Sequence, residues 1–334
     1  MQQYVITGNE AGQRLDKFLN KYMPEAGKGF LYKMLRKKNI TCNRKRAEGS
    51  EILAVGDTIE TFFSDETYVK MRGIHGSTEA EPDVPVSNYL FAYKQLRNVS
   101  VLYEDTDFLF LSKPAGVLTQ RADKDSVSVN EWLIGYLLQN HQITREQLRT
   151  FRPSVCNRLD RNTSGLVLCG KTLAGSQVLS HLLAARTLHK YYRCIVLGTI
   201  TDSMQIDGYL GKDHRRNQVE ILREAKNGYA EIHTAYEPIR HNGTFTELEV
   251  QLITGKTHQI RAHLASVGHP VLGDPKYGDL HANIRYHCGQ GQLLHAYRIQ
   301  FPTATQEPML KEHPDIAGRE FVCPVPARFR NYIS

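Results

Sequence analysis

The stretch that decides the reading is Asn157-Arg158-Leu159-Asp160-Arg161-Asn162-Thr163-Ser164-Gly165, which runs into the apolar Leu166-Val167-Leu168-Cys169. Polar, turn-forming residues followed by four apolar ones read as a loop feeding a buried strand. Arg158 and Arg161 bracket Asp160, and nearby positive charge favours the ionised form of an aspartate. A charged carboxylate at the mouth of a strand is where a nucleophile or base works. The same residues read equally as a plain turn, because Asp, Asn, Thr, Ser and Gly each have a local hydrogen-bonding reason to sit in one.

A second block lies about a hundred residues on. Leu248, Val250 and Leu252 alternate with polar residues in an expected strand from Glu247 to Ile253. Thr254-Gly255-Lys256-Thr257-His258-Gln259-Ile260-Arg261-Ala262-His263-Leu264 follows, then His269-Pro270 and Gly273-Asp274-Pro275-Lys276-Tyr277-Gly278. Gly255 breaks the strand and Thr257 is expected to cap a new helix. Lys256 and His258 carry the wrong sign for a helix start, which points them towards an anionic partner. Between the two blocks, Leu173 to Leu188 reads as an amphipathic helix with Leu179, Leu182 and Leu183 on one face, and Lys190 to Val196 as a strand.

The run Arg158 to Leu166 resembles the signature of the RluA-type pseudouridine synthases, and the second block resembles that family's third motif. Asn157 stands where the family usually has histidine, and Lys256 where arginine is commoner; asparagine still both donates and accepts hydrogen bonds. The resemblance implies that Asp160 is catalytic and that Arg261 pairs with it. It also places an active-site tyrosine two positions after a lysine, on Tyr192, where the residues alone do not separate Tyr192 from Tyr191. Arg158, Thr163, Lys256, His258 and Gln259 are the expected substrate contacts, with Arg158 filling the gap left by an extruded uridine.

The resemblance extends along the chain. Val99–Tyr103 and Phe108–Leu111 are apolar runs joined by Glu104-Asp105-Thr106-Asp107, an expected hairpin turn, with Lys113-Pro114-Ala115-Gly116 as a second turn. Both are similar to the opening of the RluA-type domain, and Leu294-His295-Ala296-Tyr297 to Phe301-Pro302 is similar to its closing strand. The carboxylates of the hairpin are read as turn residues, not as the carboxyl pair of a glycosidase.

Towards the N-terminus, Leu15, Phe18, Leu19 and Tyr22 follow helical spacing, and Leu31, Met34 and Leu35 do so in a second expected helix from Phe30 to Arg36. Short strands are expected at Ile40–Asn43, Glu51–Leu53 and Thr58–Phe63, the last preceded by a turn at Val55-Gly56-Asp57. Lys28, Lys33, Arg36, Lys37, Lys38, Arg44, Lys45 and Arg46 fall within nineteen residues that hold no acid. Such a run is usually a solvated face. Here it coincides with a helix-helix-strand unit that resembles the alpha-L RNA-binding module, which implies that these residues, with Arg14, grip phosphates. Glu79, Glu81 and Asp83 alternating with Ala80, Pro82, Val84 and Pro85 read as linker.

The 334 residues leave room for more than one domain, and 42 Lys plus Arg against 35 Asp plus Glu give a net +7 and a pI near 9.0. That excess suits a polyanion such as RNA. Six scattered cysteines without a C-x-x-C pair argue against a zinc ribbon or a thioredoxin-like site and for a reduced, cytoplasmic chain. The first residues lack the pattern of a signal peptide, and no apolar run approaches a membrane span. His258 and His263 stand about 140° apart round a helix, so they do not share a face as a zinc pair does. No metal and no cofactor are expected.

The expectation is therefore an α+β protein. A mixed, mainly antiparallel central sheet flanked by helices and loops, the pseudouridine synthase fold, is expected over 99–334, an alpha-L module over 1–63 and a linker over 64–98. The implied activity is isomerisation of uridine in structured RNA, ribosomal RNA of the large subunit ahead of transfer RNA. A non-catalytic RNA-binding or ribosome-assembly protein is disfavoured by the intact Asp160, Tyr192 and Arg261 set. A nucleoside or glycoside hydrolase is disfavoured by the missing second carboxylate.

Overall fold

The computed structural model describes residues 1–73, 86–123, 125–213, 218–289 and 291–333. The acidic, proline-containing run 79–85 lies outside them.

The N-terminal part builds its own sheet and core. Strands β1 (Gln2–Val5), β2 (Ile40–Cys42), β3 (Lys45–Arg46) and β4 (Thr58–Thr61) form a four-stranded sheet in the order β1-β4-β2-β3. Helices α1 (Leu15–Tyr22) and α2 (Lys28–Arg36) turn Leu15, Phe18, Leu19, Leu31, Met34 and Leu35 inward, as their spacing predicts. Glu51–Leu53 is not a strand: only an isolated bridge joins Ile52 to Arg14, because the Glu51 carboxylate folds back to accept the backbone N–H groups of Glu48 and Gly49.

The described part of 64–98 carries two helices. Ser64 caps α3 (Asp65–Met71), accepting a hydrogen bond from the Thr67 N–H at 3.3 Å, and Tyr68 and Met71 of α3 pack on the N-terminal core. Helix α4 (Val86–Gln95) buries Tyr89 and Ala92 against α5 (Val129–Gln139). The two helices cross closely, since a Cβ on Gly135 would meet the Tyr89 carbonyl oxygen at 2.1 Å. An apolar contact of that kind is incompatible with a free linker.

Residues 100–333 form one large sheet. Strands β5 (Ser100–Glu104), β6 (Phe108–Lys113), β7 (Ser154–Val155), β8 (Ser164–Gly170), β9 (His189–Leu197), β10 (Met204–Asp213), β11 (Gln218–Leu222), β12 (Ala230–His241), β13 (Phe245–Leu252), β14 (Leu294–Gln300) and β15 (Glu320–Val322) take part. The spatial order is β11-β10-β12-β13-β9-β14-β8-β6-β5, with β15 on β14 and β7 on β8. Every described strand pairing is antiparallel except β14 with β8. The α+β, mainly antiparallel architecture is as the sequence predicts. Helix α6 (Gln147–Thr150) precedes β7, α7 (Leu173–Ala185) follows β8, α8 (Gln259–Ser266) follows β13, and α9 (Leu280–Arg285) precedes β14. In the β5–β6 turn, Asp105 Oδ1 accepts the backbone N–H groups of Asp107 and Phe108, so that carboxylate is a turn residue.

The β14–β8 seam is tightly built. Ala296 of β14 lies in register with Gly165 on one side and Tyr192 on the other. Gly165 has φ +118°, and a Cβ there would meet the Ala296 carbonyl oxygen at 2.2 Å. Beside it, Ser164 Oγ lies 2.8 Å from His295 Nδ1, and His295 Nε2 donates to the Cys323 carbonyl at 3.1 Å. Burial lowers the pKa of His295 to about 4, so the ring is neutral and accepts from the serine hydroxyl.

The N-terminal unit is anchored on the large sheet's helices. The buried Glu10 accepts hydrogen bonds from Tyr4 Oη (3.0 Å), Thr7 N (3.1 Å), Thr7 Oγ1 (2.6 Å) and, across the boundary, Thr150 Oγ1 (2.6 Å). Arg72 stacks on Tyr22, with 3.9 Å from Cζ to the ring centroid, and pairs with Glu146.

Gly165→Ala is expected to destabilise the protein by more than about 2 kcal/mol, through a left-handed backbone and an overpacked seam. Urea unfolding of the two proteins checks this, and equal midpoints would refute the tight seam.

Candidate active site

Asp160 sits in the loop entering β8 and is held there by backbone bonds. Thr119 Oγ1 donates to the Leu159 carbonyl (2.7 Å) and accepts its N–H (3.1 Å), while the Asp160 carbonyl accepts the Thr163 N–H at 3.0 Å. Asn157 Oδ1 accepts the Leu168 N–H at 2.7 Å and Nδ2 donates to the Leu166 carbonyl at 3.2 Å. Asn157 thus acts like one more peptide unit pinning the loop to β8, and its amide supplies the donor and the acceptor this needs.

Lys113, fully buried at the end of β6, braces the loop from behind. Its Nζ donates to the carbonyls of Pro114 (3.0 Å), Val117 (2.8 Å) and Arg161 (3.0 Å). Burial lowers its pKa to about 7, Asp160 opposing, but three carbonyl acceptors use all three N–H donors of the ammonium form.

The partner of Asp160 comes from α8. Arg261 Nη1 donates to Asp160 Oδ2 at 2.8 Å, and its other edge is taken by Asp274, with Nε to Oδ2 at 2.6 Å and Nη2 to Oδ1 at 2.8 Å. The arginine is only 6% exposed and the Asp274 side chain not at all, whereas Asp160 keeps 25% exposure. Burial works against the charge of each partner in the Arg261–Asp274 pair. The mutual hydrogen bonds overcome it, so Arg261 lies above the ordinary guanidinium value and Asp274 below the carboxylate range. Backbone N–H groups of Lys276 (2.8 Å) and Tyr277 (3.1 Å) complete the shell of Asp274. The expected pairing by the flanking arginines does not form. Arg161 turns away to donate to the Gly116 carbonyl at 3.0 Å, and Arg158 is exposed and makes no ion pair among the described residues.

A cleft of about 780 Å³ opens over Asp160. Arg158, Tyr192, Lys256, His258 and Arg261 all line it, so the structure brings together the residues expected from both blocks. Tyr192 on β9 is buried, and burial, then the charge of Asp160, raises its phenol pKa, which keeps the hydroxyl protonated. Tyr191, the neighbour that the residues alone left open, instead stacks under Arg298 at 3.8 Å.

Thr163 and Gln259 also line the cleft, but only one of these two expected substrate contacts is fully used within the protein. Gln259 is buried and spends both donors and both acceptors of its amide on protein: Nε2 on the His233 carbonyl and Thr234 Oγ1 (3.0 Å each), Oε1 on Thr254 Oγ1 (2.9 Å) and the Lys256 N–H (3.1 Å). It therefore shapes the loop and has nothing left for a ligand. Thr163 is buried and its hydroxyl accepts from Gln292 Nε2 at 3.0 Å, which leaves its own proton to donate. The helix also starts one residue later than expected, with His258 rather than Thr257 at its N-cap, in a left-handed conformation (φ 57°).

Sequence reasoning missed Asp274, whose Gly273-Asp274-Pro275 context reads as a turn. It also passed over Lys190 and Arg186 on the cleft wall, where burial and the neighbouring Arg186 lower the pKa of Lys190. A lysine followed two positions later by the cleft tyrosine was the signal available for Lys190. Among the described residues, no three His, Cys, Asp or Glu side chains gather in a way that could hold a metal, and no helix is long and apolar enough to cross a membrane.

Of the RNA-facing candidates, Lys28, Lys33, Arg36, Lys37, Lys38 and Arg44 are exposed on the α2–β3 side of the N-terminal unit. Arg44 is itself exposed and lies 3.8 Å from the buried Glu60, a loose pair. Arg14 differs from the others, since its guanidinium is engaged by both carboxylate oxygens of Asp16 at 3.1 and 3.2 Å.

Asp274→Asn is expected to cost about 3 kcal/mol or more, because Arg261 is left buried with its inner edge uncompensated. A depressed folded pKa adds stability that is fully present above the unfolded value of about 3.9 and is lost as pH falls through the folded value. The variant's deficit should therefore shrink on the acid side, which denaturant midpoints across the range from about pH 6 to about pH 3 measure.

Residues 107–266 match the family model described as RNA pseudouridylate synthase. The chain is 30% identical over 313 residues, 91% of this chain and 90% of the relative, to a protein of Vibrio vulnificus named ribosomal large subunit pseudouridine synthase C. It is 27% identical to a ribosomal large subunit pseudouridine synthase D of Xanthomonas campestris, over 83% of this chain and 75% of that one. Two human structures share the fold: RNA pseudouridylate synthase domain containing 4 (TM-score 0.56, 18% identity, 74% of this chain and 96% of that one) and domain containing 1 (0.52, 23%, 68% and 83%). With the carboxylate, its arginine and the cleft already in place, these likenesses show that the chain belongs to the RNA pseudouridine synthase family, enzymes that isomerise uridine to pseudouridine in RNA.

Proposed function

We propose that this enzyme acts in the cytoplasm on uridine in ribosomal RNA of the large subunit, with Asp160 as the reacting carboxylate. One observation carries the assignment of Asp160: it is paired to Arg261 at 2.8 Å inside the cleft yet remains partly open to it. The names of the relatives from Vibrio vulnificus and Xanthomonas campestris support the choice of RNA.

The reaction cuts the bond from uracil nitrogen to ribose, turns the ring and rejoins it through carbon. It is a net isomerisation that moves no electrons, so the proposal calls on no cofactor. A uridine stacked in RNA must be extruded first, at a cost of a few kcal/mol. Arg158 enters the space it leaves; its exposure, its position on the cleft wall and the lack of an ion pair among the described residues support this reading. Arg261 supplies the counter-charge that a carboxylate in a drying site needs, and Asp274 keeps that arginine in place. Tyr192, a buried neutral phenol, offers the uracil a stacking face and a proton to exchange as the product re-aromatises. The basic face of the N-terminal unit supplies affinity through phosphates without reading sequence.

Asp160→Asn should abolish pseudouridine formation while leaving RNA affinity within a few-fold. Chemical mapping of pseudouridine in ribosomal and transfer RNA from cells lacking the protein, treated with either form, tests this. Full activity in the variant ends the catalytic assignment, and modification confined to transfer RNA ends the choice of ribosomal RNA. Neutralising Lys33, Arg36 and Lys37 together should weaken RNA binding and flatten its salt dependence by roughly one unit of slope for each phosphate that is no longer neutralised. An unchanged slope removes the module from the RNA interface.

A further inference from the structure

Two residues address the same oxygen of Asp160. Arg261 Nη1 lies 2.8 Å from Oδ2, and His258 Nε2 lies 3.8 Å from it. Oδ1 takes no hydrogen bond from the described residues. The second nitrogen of His258, Nδ1, is 3.0 Å from the hydroxyl of Tyr277. That hydroxyl already accepts the Val219 N–H at 2.9 Å, and burial raises the phenol pKa, so its own proton is retained and has Nδ1 as an acceptor within reach. An imidazole that accepts at Nδ1 carries its proton on Nε2 when neutral, and Nε2 is the nitrogen facing Asp160.

The surroundings keep the ring neutral. Burial lowers the pKa of His258; Asp160 and Asp274 pull it up, and Arg261 and Lys276 push it further down. The backbone adds a second indication, because His258 sits at φ 57°, where a side chain costs energy that glycine would not. A helix start alone does not call for histidine there.

We propose that His258, fixed by Tyr277 as the neutral Nε2–H tautomer, is a positioning residue that with Arg261 claims Oδ2 of Asp160 and leaves Oδ1 as the oxygen turned to the substrate. This rests on Asp160 carrying the reaction. At 3.8 Å the approach is longer than a hydrogen bond, and it closes when substrate fills the cleft, as active-site contacts commonly do. A neutral donor orients the carboxylate without adding a second full positive charge to the one Arg261 already supplies.

The test uses steady-state pseudouridine formation on a ribosomal RNA transcript, with ¹⁵N NMR of the histidine rings on the free enzyme. His258→Leu should lower kcat roughly 10- to 100-fold, the range for losing a hydrogen bond to a charged group, with KM within a few-fold. His258→Gln, whose amide N–H can stand near the place of Nε2, should lose less. Wild-type activity should fall as pH drops through the His258 titration below 6.5, where an imidazolium competes for the carboxylate, and that limb should vanish in His258→Gln. NMR should show the Nε2–H tautomer in the wild type and a mixture in Tyr277→Phe. An unaltered kcat in His258→Leu, or a wild-type ring protonated on Nδ1, overturns the proposal. A wild type as inactive as Asp160→Asn on every RNA would instead defeat the functional reading, and the NMR result, which needs no substrate, still judges the tautomer.

Discussion

Arg261 is shared between two carboxylates, and the rest of the site depends on that sharing. Asp274, wholly buried and supplied with two backbone N–H groups, takes two guanidinium nitrogens; Asp160 takes a third. A planar guanidinium offers a bidentate edge to one carboxylate and a separate N–H to the other, whereas an ammonium has its donors on a single nitrogen and no such edge. The inner pair holds the arginine, and the arginine in turn holds the outer carboxylate at the cleft. Within this triad one cation serves two acids, and of the two it is Asp160 that the cleft can reach.

The sheet delivers these parts to one place. The loop of Asp160 leads into β8, Tyr192 stands on β9, and β14 runs between the two strands, parallel to one and antiparallel to the other. That insertion requires close backbone approach, which Gly165 permits by lacking a side chain, and a neutral His295 ties the adjoining Ser164 to the C-terminal segment at Cys323. The N-terminal unit meets this body at Glu10, among other contacts, and four hydrogen-bond donors satisfy its buried carboxylate, with no ion pair among the described residues. Such full satisfaction is what makes a buried polar group tolerable at a packed boundary.

Where the sequence was informative, the signal was local. Alternation marked β13, a short turn joined β5 to β6, helical spacing marked α1 and α2, and Gly255 marked the end of a strand. Where it misled, the cause was a partner far along the chain. Helix α4 packs against α5 and has no clean polar face, so its residues blended into an expected linker. Gln259 was a substrate contact on the family resemblance alone, yet His233 and Thr234 absorb its donors. Asp274 looked like one more turn aspartate. Strands β10 to β12 were not read from the sequence, although Ile232, Thr234 and Tyr236 alternate inward along β12, where β10 and β13 flank it.

Read alone, the chain of 334 residues determined the types of the main elements, the loop bearing Asp160 and, through two motifs, the family resemblance that paired it with Arg261. Those properties rest on residue order over a few positions, and order is what a sequence displays. The tertiary structure decided which charge neutralises which: Arg261 rather than the adjacent Arg158 and Arg161, Asp274 behind it, and His258 turned between Tyr277 and Asp160. Charge pairing falls off over a few ångströms of space, and neighbours along an extended loop point apart while residues a hundred positions distant meet.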